Sequence, residues 1–425
     1  MSYCNTLDFI MTYDHHIMAK TCSDVALSNW RNGEWANTII SNQVRSVGSQ
    51  SSFPSPDATF FDDKFQRVIN FEFKPPSETK RGMLTSIGQA LAYLNNSNLS
   101  FIFCPESVDG FNISNYFKDL FQDHIVGKLP IGLISYENDN PSKITELVSI
   151  EPSTILSKKI NSNIISDRYW AKHQDLPNEV LFTLLDKAFV LPDTKNRKHE
   201  VWKSTWVDYI FDKMRVLNTL NDLDPHIFYH YGTPFQLGKK KKSELRKKVK
   251  NGKITENDAL AELKHWADPD RKGDCYSESY KKNFMTFIGH LELWDDACRL
   301  TPSGYELHKI GKIYGPNSKM FLDALIRIVL FSGRHLDLIM DLWEFSIDNR
   351  EKTLPELANK FTDYYANQGK IKFNPNRRKK TGQNEQFRFE LIFWRKFNLL
   401  AEHYSSDGPL EFNFREISRI CASNL

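Results

Sequence analysis

Two carboxylates and one lysine are spaced across residues 56–74 so that they can hold a hard divalent cation and set a positive charge beside an attacking water. The stretch reads Pro56-Asp57-Ala58-Thr59-Phe60-Phe61 and then, after a short polar break, Val68-Ile69-Asn70-Phe71-Glu72-Phe73-Lys74. Polar and apolar residues alternate from Val68 to Lys74. An extended chain of period two therefore puts Asn70, Glu72 and Lys74 on one face and Ile69, Phe71 and Phe73 on the other. If residues 59–61 pair with this strand through a turn at Asp62-Asp63-Lys64, Asp57 lies at the far end of the hairpin and converges on Glu72. The plain alternative is a surface hairpin with ordinary charges.

Pro56-Asp57 followed by Glu72-Phe73-Lys74 resembles the PD-(D/E)xK nuclease superfamily. The resemblance implies that Asp57 and Glu72 bind Mg²⁺ and that Lys74 orients or helps deprotonate the water that attacks a phosphodiester. Mg²⁺ prefers carboxylate and water ligands and neutralises charge developing at phosphorus. Several members carry an acid on the helix before the Asp, and Glu34 matches that position as a third metal candidate; an exposed helix charge is the equal alternative. Gln89, four residues before Tyr93, matches a Gln and Tyr pair that recurs after the metal-binding strand in some members. It is a further catalytic candidate, and a helix amide bonded to backbone or water is the alternative.

The elements that must position these groups follow from periodicity. Residues 24–47 read as a helix with Val25, Trp30, Trp35, Ile39, Ile40 and Val44 buried, ending near Gly48. Residues 48–56 are loop chemistry, and Pro75-Pro76 stops the strand after Lys74. Ser77-Glu78 opens a helix to about Leu94 whose apolar face is Met83, Leu84, Ile87, Leu91 and Leu94, with Lys80 and Arg81 in its first turn able to reach a phosphate. Residues 99–104 and 131–136 are near-continuous apolar runs, expected as strands buried on both faces, with a helix near 116–124 between them. Helix, three strands, helix, strand, helix, strand is the core that the resemblance implies: a mixed sheet flanked by helices, of α/β restriction-endonuclease type, over residues 1–150. Residues 138–166 read as a linker with little core.

Residues 151–425 are expected to be mainly helical, with helices at 180–189 and 202–220 and an apolar helical pair across 321–342. A basic run, Lys239, Lys240, Lys241 and Lys242 followed by Arg246, Lys247, Lys248 and Lys250, predicts phosphate contact, the alternative being a solvated helix face. Residues 278–312 contain Leu300-Thr301-Pro302-Ser303-Gly304-Tyr305-Glu306-Leu307 after a helix. This pattern resembles the wing and following helix of winged-helix modules and implies that Lys281 and Lys282 lie on a recognition helix. Arg377, Arg378, Lys379 and Lys380 sit between loop residues, either as an arm near a groove or as a solvated loop.

Composition narrows the class. The 425 residues, 40% hydrophobic, suffice for two or three domains, and the net charge of +3 is concentrated in a few basic islands that suit a polyanion. No apolar run reaches the length of a membrane span and the start lacks a secretory signal, so a soluble, intracellular protein is expected, and the nuclease resemblance implies a prokaryotic cytoplasm. The six cysteines form no CxxC pair and are expected to be reduced thiols. No GxxxxGK[ST] loop is present. Asp14-His15-His16 reads as surface, and His226 with His230 lacks a third ligand for zinc.

The arrangement resembles type II restriction endonucleases, particularly the type IIS sort with separate recognition and cleavage domains. That resemblance implies a Mg²⁺-dependent, sequence-specific double-strand DNA endonuclease leaving 5′-phosphate and 3′-hydroxyl ends. It also implies a DNA methyltransferase in the same cell and a homodimer at cleavage. The alternatives are a structure-specific repair or recombination nuclease, and a non-catalytic DNA-binding regulator with a nuclease-like core.

Overall fold

The computed structural model describes residues 14–35, 39–48, 54–123, 125–158, 167–172, 177–208, 228–230, 233–235, 239–268, 276–349, 354–372, 387–400 and 410–422. Two compact units are present: Met1–Ala171 together with Val329–Asn424, and Lys172–Ile328.

The first unit opens with helix α1, Asp14–Asn32, whose buried Ala19, Cys22, Ala26 and Trp30 recur at helical spacing. Gly33 follows with φ 77, the left-handed conformation that ends helices and that glycine adopts without a Cβ clash. The helix expected over 24–47 is thus corrected: it starts ten residues earlier and stops at Asn32, and Val44–Val47 is strand β1. Strands β2, Ala58–Asp62, and β3, Arg67–Phe73, form the expected hairpin, with Ala58 opposite Phe71 and Asp62 opposite Arg67. Asp62 closes the turn by accepting from the backbone N–H groups of Lys64 and Phe65, each at 2.9 Å.

Helix α2, Lys80–Tyr93, strand β4, Leu99–Pro105, helix α3, Ile113–Asp123, and strand β5, Ile131–Glu137, complete the α/β part. Strand β6, Asn140–Val148, lies antiparallel to β5 within the segment expected to be linker. Its side chains are mostly half-buried, as suits an edge strand, so it lacks the apolar run that marks β4 and β5. The sheet runs β1-β2-β3-β4-β5-β6, antiparallel at both ends and parallel across β3, β4 and β5.

Each face of the sheet has its own core. Ile69, Phe71, Phe73, Phe101, Phe103 and Tyr136 pack under α1, where Trp30 lies 5.7 Å from Phe71 and 5.5 Å from Phe101, ring to ring. Ile102, Cys104, Ile131 and Leu133 pack with Met83 and Ala90 of α2 and Phe117 and Phe121 of α3. Helix α2 is turned relative to expectation: Met83, Ser86, Ala90 and Tyr93 are buried, while Leu84 and Leu91 stay 45% and 49% exposed. Leaving two leucines half in water forgoes roughly 1 kcal/mol each. The small residues Ser86 and Ala90 let the helix lie close to the sheet, and the turn carries Tyr93 inward.

The second unit contains α4, Asn178–Val190, and α5, Arg197–Trp206, then the two-stranded pair β7, Phe228–His230, and β8, Thr233–Phe235. Helices α6, Lys239–Lys250, and α7, Glu256–Ala267, form a hairpin around Leu245, Ala259 and Leu263, all fully buried. Next come α8, Tyr276–His290, and α9, Pro302–Tyr314, linked by a bridge between Trp294 and Leu300, then α10, Lys319–Leu330. Gly304 sits so close to the Leu293 carbonyl that a Cβ would fall 1.8 Å from its oxygen, so this approach requires glycine.

The chain then returns to the first unit with α11, His335–Ile347, α12, Leu354–Asn367, α13, Arg388–Lys396, and α14, Phe414–Ala422. Residues 329–424 had been expected to belong with everything after 150. Side chains far apart in sequence bring them back: Lys20 bonds Asp341 at 2.8 Å, Lys370 bonds both Asp341 at 2.8 Å and Asp24 at 2.9 Å, and Tyr365 donates to Asp341 at 2.8 Å. Among the described residues no helix is long and apolar enough to cross a membrane.

Candidate active site

Asp57 stands just before β2, one position beyond the Ala58–Phe71 pair, so the antiparallel register carries it opposite Glu72. Two bonds fix it there. Its N–H donates to the Phe71 carbonyl at 3.0 Å, and its Oδ2 accepts from the Phe73 N–H at 2.7 Å. The carboxylate thus takes a ladder position at the end of the sheet, where β3 turns away at Pro75.

Glu72 points to the α2 side, as period-two alternation requires, and is 2% exposed. Lys74 Nζ lies 2.8 Å from its Oε1, and the Tyr93 hydroxyl donates to its Oε2. Lys74 Nζ also donates to Gln89 Oε1 at 2.9 Å. The lysine backbone is held too, its N–H on the Phe103 carbonyl at 3.0 Å and its carbonyl accepting from the Tyr136 hydroxyl at 2.6 Å. The structure therefore gathers Asp57, Glu72, Lys74 and Gln89, with Tyr93 four residues along the helix from Gln89.

His15, read as surface, is exposed, and it also belongs to this site. From the first turn of α1 its Nε2 comes within 3.1 Å of the Phe73 carbonyl and 3.5 Å of Asp57 Oδ2. Both neighbours are acceptors, so this nitrogen carries the proton. Burial works against charge on His15, but Asp57, the Phe73 carbonyl and Glu72 outweigh it and raise its pKa.

The two carboxylates respond oppositely to burial. Burial opposes the charge of Asp57, but the contact and charge of His15, the Phe73 N–H and the charge of Arg334 hold its pKa below the ordinary value. Glu72 is pushed up to about 7, by burial first and by Asp57 second, against the pull of Lys74 and Tyr93. A rise from 4.5 to about 7 sets about 3 kcal/mol against ionisation of Glu72. Two carboxylates that repel each other, with the Phe73 carbonyl at the same end of the strand, form an oxygen donor set that a divalent cation would relieve. Among the described residues no three acidic, histidine or cysteine side chains gather as a ready cage. Two carboxylates still fit Mg²⁺, which is commonly held by one or two carboxylates with water and phosphate oxygens completing its shell.

Searches against protein-family models and against curated proteins find no match to this chain. The functional reading therefore rests on the site itself.

The remaining predicted positions lie elsewhere. Glu34 is exposed beyond the end of α1, and a helical rise of about 1.5 Å per residue places it roughly 27 Å from His15. It is not beside Asp57, and the helix end that does reach the carboxylates is the other one. Lys80 and Arg81 are exposed in the first turn of α2, with Lys80 Nζ 5.2 Å from the Phe111 ring centre. In the basic run, Lys241 and Lys248 bond Glu262 of α7 at 2.6 and 3.3 Å, so part of that charge is neutralised within the hairpin. Arg246 is half-buried and Lys247 exposed; Lys239, Lys240 and Lys242 lie on the same helix, with side chains outside the described set. Lys281 is half-buried on α8, the Lys282 side chain is outside the described set, and Arg377, Arg378 and Lys379 lie outside the described residues.

Proposed function

We propose that the protein is a Mg²⁺-dependent DNA endonuclease whose reacting groups are Asp57, Glu72 and Lys74. The observation that carries this reading is the convergence of two carboxylates from paired strands with a lysine held on one of them, Nζ to Oε1 at 2.8 Å. Asp57 and Glu72 would hold the ion, which when bound neutralises charge at phosphorus and acidifies water. Lys74, kept in place by Glu72 and Gln89, orients the attacking water through its ammonium N–H groups. Water oxygen bonds phosphorus, the bond to the 3′ oxygen breaks, and that oxygen leaves protonated, giving 5′-phosphate and 3′-hydroxyl ends.

The fold around the site is consistent with the PD-(D/E)xK resemblance, and a type II restriction endonuclease is the form we favour. On this reading Lys80 and Arg81, about 14 Å along the α2 axis from Gln89, contact neighbouring phosphates. Helices α8 and α9 act as a winged-helix-like element, with Lys281 and the α6 lysines on DNA. A cognate methyltransferase and a cleavage-competent homodimer belong to the same proposal.

Incubation with unmodified DNA and Mg²⁺, followed by sequencing of the ends, tests it. Discrete fragments support a restriction enzyme, cutting confined to branched or flapped DNA supports the repair reading, and no cutting of any DNA removes the nuclease assignment.

A further inference from the structure

The charge around Asp57 is completed by a residue far along the chain, Arg334. Arg334 starts α11 as its N-cap with φ 58 and ψ 22, and its side chain makes no capping bond. Both features are unfavourable for arginine: left-handed backbone favours glycine or asparagine, and N-caps favour Ser, Thr, Asp or Asn. A residue kept in such a conformation against both preferences points to a use for its side chain.

The surroundings show where that side chain is directed. Arg334 Nη1 lies 3.6 Å from Asp337 Oδ2, and Asp337 Oδ1 meets His16 Nε2 at 2.6 Å. The Phe331 ring packs edge-on against His16, centres 5.4 Å apart. Residues 331–337 are therefore docked on the first turn of α1, the turn whose His15 reaches Asp57 and the Phe73 carbonyl. The charge of Arg334 falls on Asp57 from this position. Its side chain is 20% exposed, and the long contact with Asp337 is its one ion pair among the described residues.

An approaching phosphodiester needs a cationic donor that is not already committed. Lys74 is paired with Glu72, and the His15 N–H lies between Phe73 O and Asp57. A guanidinium presents a planar fork of donors matched to two phosphate oxygens.

We propose that Arg334 binds the phosphodiester of the nucleic acid at this site, positioned by Asp337 and His16. The inference rests on the nuclease reading above. It adds a phosphate ligand from α11 that the strand motif does not contain.

The test compares wild type with Arg334→Gly and Arg334→Lys in three measurements. These are thermal melting, single-turnover cleavage of unmodified DNA in Mg²⁺, and metal-free binding to a duplex spanning a mapped cut across a range of KCl. Glycine suits the left-handed backbone and so offsets part of the loss of the long contact with Asp337, and Arg334→Gly melts within a few degrees of wild type. Its cleavage falls by about 100-fold or more, the size of effect seen when one donor to a developing oxyanion is removed. The slope of log affinity against log salt shrinks by about one phosphate contact. Arg334→Lys keeps the salt slope but loses about tenfold in cleavage for want of the fork. A folded Arg334→Gly that cleaves like wild type overturns the inference and leaves the nuclease reading standing. Lost cleavage with an unchanged salt slope, or with the protein unfolded at the assay temperature, also overturns it, because Arg334 would then act through Asp57 or through the fold. A wild-type protein inert on all DNA removes the nuclease reading and this inference together.

Discussion

His16 and Asp337 stand 321 residues apart in the chain and meet Nε2 to Oδ1 at 2.6 Å. The contact joins the first turn of α1 to the first turn of α11, and each turn carries a neighbour, His15 or Arg334, whose charge lowers the pKa of Asp57. Burial pushes the Asp337 carboxyl up, but His16, Arg334 and Lys20 together hold it far below the ordinary range. The surroundings of the candidate metal carboxylate are thus built from two segments that are 321 residues apart where they meet.

Asp57→Ala removes one of the two carboxylates proposed to hold Mg²⁺ and the acceptor for the Phe73 N–H. Cleavage in Mg²⁺ should fall by at least about 1000-fold, a transition-state loss of roughly 4 kcal/mol, while duplex binding in metal-free buffer persists. Cutting that survives this substitution places the chemistry elsewhere in the chain.

Tyr93→Phe deletes a hydroxyl whose single proton is shared between Glu72 and the Ser55 carbonyl, the latter 3.0 Å away. A chemical melt should show about 1–2 kcal/mol of lost stability, because a buried carboxylate oxygen loses its donor. The Mg²⁺ concentration giving half-maximal cleavage should rise, since Glu72 becomes harder to ionise. An unchanged Mg²⁺ titration would mean that Tyr93 does not tune Glu72.

Asp341 is buried between Lys20 and Lys370. Asp341→Ala leaves Lys20 and Lys370 sharing Asp24 alone, 2.9 Å from each, and should destabilise the first unit by up to about 3 kcal/mol in urea unfolding. Replacing all three, as Lys20→Met, Asp341→Leu and Lys370→Met, should recover much of that loss, because an apolar cluster avoids the desolvation of three charges. A triple variant no more stable than the single one would contradict this account.

His335 supplies a pH signature. Its Nε2–H donates to the Ala171 carbonyl at 2.6 Å, and its Nδ1 accepts from Trp394 Nε1 at 3.1 Å, which selects the neutral ring. Burial, with Arg168 nearby, lowers its pKa from 6.5 to about 4 against the pull of the Ala171 carbonyl. The unfolded chain therefore binds a proton that the folded chain does not as pH falls from about 6.5 to about 4, so stability falls over that window, by up to about 3 kcal/mol. Urea unfolding at steps across it should show the slope, and His335→Gln should be less stable at pH 7 yet flatter below it. A wild-type profile flat from pH 7 to 4.5 would show that the ring is not kept neutral.

The hairpin carrying Asp57, Glu72 and Lys74 was legible because strand alternation and antiparallel register are short-range arithmetic. Gln89 and Tyr93 were legible as a helical pair for the same reason. The limits of α1 were not, since Gly33 ends a helix whose apolar spacing then gives way to the apolar residues Ile39, Ile40 and Val44. That error put Glu34 at the wrong end and hid His15. Strand β6 was missed because an edge strand needs no apolar run. The return of residues 329–424 left no trace in any local pattern, because it depends on pairs such as Lys370 with Asp24.

The Ala171 N–H donates to the Gly333 carbonyl at 2.9 Å, one hydrogen bond across the gap where the first unit's backbone departs and comes back. Such closely spaced ends could be spliced by a turn of a few residues. A shortened polypeptide lacking everything between them would keep both carboxylates, the lysine and Arg334, and would be a scaffold onto which other domains could be grafted.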